Sequence, residues 1–388
     1  MPPAAMQLAN FNPEEFLRET WQKRPLLIRN AWRSWRNPLG PDELAGLACE
    51  PGVESRLVTK WPDLWELEHG PLPEDRFSRI GQTPWTLLVQ AVDHHAPEVA
   101  ALLEPFGFIP NWRVDDVMVS YAVDGGGVGA HFDNYDVFLV QGLGQRRWQV
   151  GGRCDHATPL LPHDDLRLLA NFDPTDEWVL DPGDILYVPP GVAHNGVAVG
   201  DDCMTYSIGF RAPSRSELIA GWAEHLLGEL ADDDRYSDPA LAVQDNPGEI
   251  SREALARLQG MVVERVLDPH SFADWFGEYS TTPKTPDIDW RPERPVKLGY
   301  LRSCIAQGIP LLRNPASRFA FVQDDGGSLT LFVDGRSYRC SGLAATLAER
   351  LCASHHLAID EEALKSNESL ALITELANQG SVVFQVHD

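Results

Sequence analysis

The sequence predicts an α+β chain of several domains arranged round a β-rich centre. Three observations carry this. The chain of 388 residues is too long for one modest core and suggests about two or three domains. From about Val117 to Phe210, short apolar runs alternate with turn-rich loops, as in an all-β sandwich or barrel. Beyond Pro213 the apolar period lengthens from two to three or four, the signature of helices.

Taken in order, Asn12 caps a first helix with Pro13 at its first turn, and Lys23-Arg24-Pro25 leads into the strand-like Leu26-Leu27-Ile28. Trp85 to Val92 and Ala96 to Leu103 carry apolar stripes and read as helices packed outside the barrel, with His94 and His95 on the surface at their junction. The strands of the barrel are Met118–Val123, Tyr135–Gln141, Arg147–Val150, Trp178–Leu180, Ile185–Val188 and Met204–Phe210, with Gly142-Leu143-Gly144 expected to turn the chain between two of them. His156 and His163 fall in a loop-rich insert and receive no role.

Ser214-Arg215-Ser216-Glu217 is a capping box, and Leu218, Trp222, Leu226 and Leu230 recur along the helix it starts. Two further helices run from about Ser251 to Leu267 and from Pro269, capped by Asp268, to Tyr279. A proline-rich charged linker, Thr281–Pro295, follows. Then come strands Phe319–Val322, Leu329–Val333 and Ser337–Cys340, helices Gly342–Ala353 and Glu361–Leu376, and a closing strand Val382–Val386, together a winged-helix-like arrangement. Its helices carry no Lys/Arg-rich stripe, which favours a structural or protein-binding role over DNA. The divisions expected are 1–212, 213–285 and 286–388.

Composition narrows the function. At 43% hydrophobic and 23% charged residues, long disorder is not expected. The net charge of −25 repels nucleic-acid phosphates and suits a basic polypeptide partner. The cysteines show neither Cys-x-x-Cys pairing nor zinc spacing, Met1–Asn10 lacks a signal-peptide pattern, and no apolar run approaches bilayer length. The expectation is a cytoplasmic protein with no membrane contact and no direct nucleic-acid binding.

The chemistry centres on Gly125-Gly126-Gly127-Val128-Gly129-Ala130-His131-Phe132-Asp133. In extended chain, residues two apart share a face, so His131 and Asp133 point the same way. A second histidine, His194, follows the turn-flanked run Asp181-Pro182-Gly183-Asp184-Ile185-Leu186-Tyr187-Val188-Pro189-Pro190-Gly191 and is placed just past a strand. Two histidines and a carboxylate form a facial triad with open positions, the ligand set of non-haem Fe(II) oxygenases. Arg146 shares a face with Trp148 and Val150. An unpaired charge on an apolar face is costly, so Arg146 is read as the counter-ion of a dicarboxylate cosubstrate, against the alternative of a solvent-facing edge position. On the last strand, Thr205 and Ser207 offer hydroxyls on the face opposite Met204, Tyr206, Ile208 and Phe210, and either lines the cosubstrate pocket or faces solvent. Asn134, Tyr135, Asp136 and Asp124 are candidate substrate contacts that compete with plain turn and strand roles.

Gly-Gly-Gly-Val-Gly-x-His-x-Asp, Tyr-Asp-Val-Phe, Gln-Gly-x-Gly-x-Arg-Arg-Trp, Pro-Gly-Asp-Ile-Leu-Tyr-x-Pro-Pro-Gly-x-x-His and Tyr206-Ser207-Ile208-Gly209-Phe210-Arg211-Ala212-Pro213 together resemble the bacterial JmjC-domain ribosomal oxygenases. The likeness extends over nearly the whole chain. It implies a JmjC, cupin-like double-stranded β-helix barrel, a helical dimerisation region and a winged-helix-like carboxy-terminal domain. It also implies Fe(II) on His131, Asp133 and His194, 2-oxoglutarate held through Arg146, a homodimer, and hydroxylation of an arginine in large-subunit ribosomal protein sixteen. No catalytic residue beyond the metal site is implied. Two other readings stand beside this one: another substrate for the same chemistry, such as a histidine of a different ribosomal protein, and a non-catalytic metal-binding cupin scaffold.

Overall fold

The structure is a computed structural model that describes residues 8–385 apart from 62, 63, 82 and 232. Part of the amino-terminal stretch and the expected end of the last strand at Val386 lie outside the described residues.

Helix α1 (Pro13–Glu19) begins as its sequence dictates, with the Asn12 side chain accepting from the Glu14 and Glu15 amides. Strand β1 (Leu26–Ile28) and helix α2 (Pro41–Cys49) follow. Next come β2 (Ser55–Lys60), β3 (Trp65–His69), the short helix α3 (Asp75–Ser78) and β4 (Trp85–Val89). The helix expected from Trp85 is therefore a strand. Its residues after Trp85 are buried, and pairing with β2 on one side and with β5 (Val114–Ala122) on the other outweighs a helix-like stripe. The second expected helix is present as a turn of α-helix, α4 (Pro97–Ala100), continued by a 3₁₀ segment through Phe106. His94, expected on the surface, is buried at 6% exposure.

Strand β6 (Asp136–Arg153) runs straight through Gly142-Leu143-Gly144. That segment is a bulge, not the expected turn. Gly144 sits at φ +55° and the register to β9 (Val192–Phe210) slips twice there, so both halves remain one strand. Between them lie β7 (Pro174–Leu180) and β8 (Ile185–Val188). Strand β8 pairs with the first part of β6 and β7 with the second, while β9 follows the opposite edge from Phe210 beside Asp136 to Val192 beside Arg153. The order β1-β8-β6-β9-β5-β4-β2-β3, with β7 on β6, is antiparallel and does not close on itself.

The doubled β6/β9 ribbon is packed on both faces. Phe138, Tyr206, Ile208 and Phe210 join Phe16, Phe106 and Tyr187 in one core, and Val137, Leu139, Trp148 and Val150 form another with Leu180 and Leu186. At roughly 1.5–3 kcal/mol for each fully buried large side chain, this packing fixes the strand register and hence every inward-facing polar residue.

The capping box starts α5 (Arg215–Glu229), and Ser251 and Asp268 cap α6 (Arg252–Val266) and α7 (Pro269–Thr281). Trp222 of α5 packs on Phe272 and Trp275 of α7, whereas α6 has no buried residue among those described and exposes Leu255, Leu258, Val262 and Val266. Beyond it come α8 (Leu298–Ala306), β10 (Leu311–Arg313), β11 (Phe319–Gln323), β12 (Leu329–Val333) and β13 (Arg336–Cys340). Helix α9 (Gly342–Ala353), β14 (His356–Leu357), α10 (Asn367–Asn378) and β15 (Val382–Phe384) complete it. The strands make two antiparallel sheets, β11-β12-β13 and β14-β10-β15. The single helix expected from Glu361 is split into a 3₁₀ segment and α10, because Ser366 caps a fresh start by accepting from the Ser369 amide.

Candidate metal centre

His131 and His194 face one another across a pair of backbone hydrogen bonds, His131 N to His194 O at 3.0 Å and His194 N to His131 O at 2.8 Å. His194, expected just past a strand, does follow β8, and it lies near the start of the next strand, β9. The glycine before His131 is structural in a specific sense. Gly129 adopts φ +84°, which turns its carbonyl to within 2.9 Å of His131 Nδ1. His194 Nδ1 meets the Val192 carbonyl at 3.0 Å in the same way. A carbonyl only accepts, so in both rings Nδ1 is the donor and Nε2 is the nitrogen turned toward Asp133. Those Nε2 atoms lie 3.9 and 3.5 Å from Asp133 Oδ2, and the three side chains offer ligand atoms all within 4.8 Å of one another.

Burial, and then the neighbouring His131, lowers the His194 pKa to about 4, so the ring is neutral at physiological pH, as a metal ligand must be. Asp133 is held from behind, its carbonyl accepting from the Gly191 amide at 2.7 Å. Donor type, tautomer and spacing thus fit a divalent transition metal such as Fe(II).

The triad lines a cavity of about 540 Å³. Strand alternation brings Arg146 into it, 4% exposed, with the outward Arg147 beside it exposed. Its Nε lies 3.4 Å from Cys203 Sγ and its guanidinium 5.7 Å from the Trp148 ring centre, while Nη2 is buried with no hydrogen-bond partner among the described residues. Three other lining residues share this condition: Arg56 at Nε, Thr86 at Oγ1 and Trp148 at Nε1. Unsatisfied buried donors each cost about 1–3 kcal/mol, and several in one cavity are the mark of a site shaped for an acceptor-rich ligand. A dicarboxylate with one end at the triad and the other at Arg146 answers that chemistry.

The remaining sequence candidates divide. Ser207, Asn134 and Tyr135 line the cavity. Thr205 does not, since its hydroxyl donates to Gln141 Oε1 at 3.2 Å. Asp136 is fully buried away from it, accepting from Tyr187 Oη at 2.6 Å and from Gln22 Nε2 and Arg113 Nη2 at 2.9 Å, a node that ties β6 to the amino-terminal segment. Asp124 accepts from the Gly200 amide and organises a turn outside the cavity. His163, given no role, anchors the insert through the Trp65 carbonyl and the Asp165 and Leu166 amides, which sets Asp165–Leu168 along the cavity wall.

What sequence reasoning missed is the acidic wall. Asp115 and Asp116, at the start of β5, line the cavity with Met118 and Tyr135, and Lys284 joins them from the segment after α7. The signal available was a pair of charges opening an otherwise apolar strand; for Lys284, in a charged linker, there was none. A second cavity of about 500 Å³ adjoins the first, sharing Asp115, Asn134 and Tyr135 and extending past Arg211, Glu217, Phe276 and Tyr279.

A JmjC domain family model matches residues 101–218, and a ROXA-like winged helix model matches residues 251–382. The chain is 36% identical over 376 residues to the ribosomal protein uL16 3-hydroxylase of Escherichia coli K12, spanning 96% of this chain and 98% of that protein. It is 46% identical over 217 residues to a probable ribosomal oxygenase of Haemophilus influenzae, spanning 55% of this chain and 52% of that one. Among solved structures, the E. coli ribosomal oxygenase YcfD in complex with cobalt and 2-oxoglutarate superposes with a TM-score of 0.85 at 36% identity, over 98% of this chain and 99% of that one.

Proposed function

The chain belongs to the JmjC-domain ribosomal oxygenases, and from that premise we propose that it is an Fe(II)- and 2-oxoglutarate-dependent dioxygenase that hydroxylates an arginine side chain of the large-subunit ribosomal protein uL16. One observation carries the reading: a His-Asp-His cluster, an arginine whose Nη2 has no hydrogen-bond partner among the described residues, and a pair of carboxylates converge on one cavity. His131, Asp133 and His194 would hold the iron, and Arg146 would receive the far carboxylate of 2-oxoglutarate, with Ser207 a further hydroxyl lining the same cavity. Bound together, iron and 2-oxoglutarate supply the oxidising power to hydroxylate an unactivated carbon, with dioxygen consumed and succinate and carbon dioxide released.

The protein's own part is positioning. Asp115 and Asp116 offer charge-assisted hydrogen bonds to a guanidinium, Tyr135 and Asn134 line both cavities, and the adjoining cavity of about 500 Å³ would take the flanking polypeptide. A carboxylate pair favours a permanently charged guanidinium over an imidazole that is largely neutral at physiological pH, which sets this reading ahead of histidine hydroxylation. The net charge of −25 agrees with a basic substrate. We also read the exposed apolar stripe of α6 as the contact of a homodimer, and the winged-helix region as structural, and place the protein in the cytoplasm where ribosomes are assembled.

The test is fragment mass spectrometry of recombinant uL16 after incubation with the protein, Fe(II), 2-oxoglutarate and air. A gain of one oxygen on a single arginine, absent without 2-oxoglutarate, is expected. Oxygen gained on another residue type, or none while 2-oxoglutarate is consumed, would refute the arginine assignment.

A further inference from the structure

The acids that would receive the substrate already hold a cation. Lys284 places Nζ 3.0 Å from Asp115 Oδ2 and 2.9 Å from Asp116 Oδ2, inside the cavity that contains the triad. Arg318 puts Nη2 3.0 Å from the other oxygen of Asp115. In direct contact two carboxylates face two cations, so that contact set is formally neutral, with Arg211 and the buried Asp93 acting on it from farther off. A third cation entering a neutral, part-buried cluster gains little attraction, and one of the residents has to leave.

The two residents are not held alike. Arg318 also donates to the backbone carbonyls of Thr282 and Asp115, an anchorage that survives loss of the carboxylate contacts. Lys284 has a flexible stem, is 23% exposed, and reaches the acids only through its terminal ammonium. It comes from the segment after α7, outside the sheet that fixes the acids, so it can withdraw without disturbing β5.

We propose that Lys284 is an internal surrogate for the substrate's side chain: its ammonium occupies the Asp115/Asp116 pair in the free enzyme and is displaced by the incoming guanidinium. The inference rests on the arginine reading above. Exchange of cation for cation has two consequences. A neutral side chain of similar size cannot displace the lysine, so Lys284 rejects it, and a guanidinium succeeds because its fork engages both carboxylates at once where an ammonium is a point charge. Lys284 also keeps Asp115 ready: against burial, it and Arg318 hold the Asp115 carboxyl below its ordinary range, whereas burial prevails at Asp116 and raises it. The pair is thus shaped, and Asp115 charged, before substrate arrives, at the expense of apparent affinity.

The experiment compares full-length, iron-loaded wild type, Lys284→Met and Lys284→Arg on a uL16 peptide carrying the target arginine, with melting temperatures as the control. Removing the competitor in Lys284→Met is expected to lower KM for the peptide about tenfold with kcat not reduced. Lys284→Arg, a stronger internal ligand, is expected to raise KM. A support role predicts the opposite pattern, KM raised by methionine and unmoved by arginine, and that result overturns the proposal. If Lys284→Met does not fold, the Lys284→Arg arm alone decides, an unchanged KM counting against it. Binding of Nα-acetyl-argininamide, followed by calorimetry, separates this idea from its premise. Tighter binding to Lys284→Met with no uL16 hydroxylation by wild type sinks the substrate assignment and leaves the surrogate standing; equal binding to both sinks the surrogate alone.

Discussion

Arg146→Met should make the protein more stable and less able to bind its cosubstrate, and the two effects have opposite signs for one physical reason. Methionine keeps much of the arginine's length without its charge. The guanidinium is 4% exposed, its Nε faces a thiol at 3.4 Å, and Nη2 has no partner among the described residues. A thiol is a weak acceptor, so the charge is poorly compensated. The unmade charged donor costs about 1–3 kcal/mol, and the Trp148 ring, 5.7 Å away, returns about 1. Removing the charge should therefore stabilise the protein without 2-oxoglutarate by up to about 2 kcal/mol. With 2-oxoglutarate present the sign reverses, because losing one partner of a buried charge pair costs about 2–5 kcal/mol, a loss of affinity between roughly thirtyfold and a few thousandfold. The assay is urea unfolding of metal-loaded wild type and variant, with and without 2-oxoglutarate, beside KM for 2-oxoglutarate. At a ligand concentration of 100 Kd the wild type gains about 2.7 kcal/mol, and the variant at that same concentration should gain less than about 1 kcal/mol. An unchanged affinity for 2-oxoglutarate, or a variant less stable than wild type without it, would refute the assignment of Arg146.

His131→Ala should abolish iron retention and hydroxylation while leaving the metal-free melting temperature within a few degrees; activity in an iron-loaded variant would remove His131 from the ligand set. Leu258→Asp with Val262→Asp, on the exposed face of α6, should convert a dimer to monomer in light scattering, whereas a monomeric wild type would end that reading. Stability should fall on the acid side. Burial first, then nearby cations, holds His94 at about 4 and His355 at about 3 in the fold. Both rings are neutral when folded and take up a proton more readily when unfolded, near 6.5. Their contribution is thus intact above about pH 6.5 and declines as pH drops towards about 4. Urea midpoints at pH 7.5, 6 and 5 check this, and His355→Asn should flatten the slope.

Where the decisive information was local, it could be read from the chain. The caps Asn12, Ser214, Ser251 and Asp268 each satisfy amides within their own first turn, and those helices start where a few consecutive residues say they must. Strands β8 and β12 are bounded by turn residues and lie where periodicity puts them. The triad was legible for the same reason: two ligands two residues apart on extended chain share a face whatever the rest of the fold does.

Tertiary structure decided what depends on partners remote in sequence. The segment from Trp85 became a strand because β2 and β5 were there to pair with it, and Gly142-Leu143-Gly144 became a bulge because β9 continued past it. Asp136 and Asp124 looked like substrate contacts by position, but pairing turned their carboxylates to Tyr187, Gln22 and Arg113 in one case and to Gly200 in the other. Asp115, Asp116, Lys284 and Arg318 come from β5 and from two later segments, and nothing in any one stretch announces their meeting. A metal ligand set follows from the geometry of a few residues of backbone, whereas the balance of charge in a substrate pocket is a sum over side chains that only the closed fold brings within each other's field.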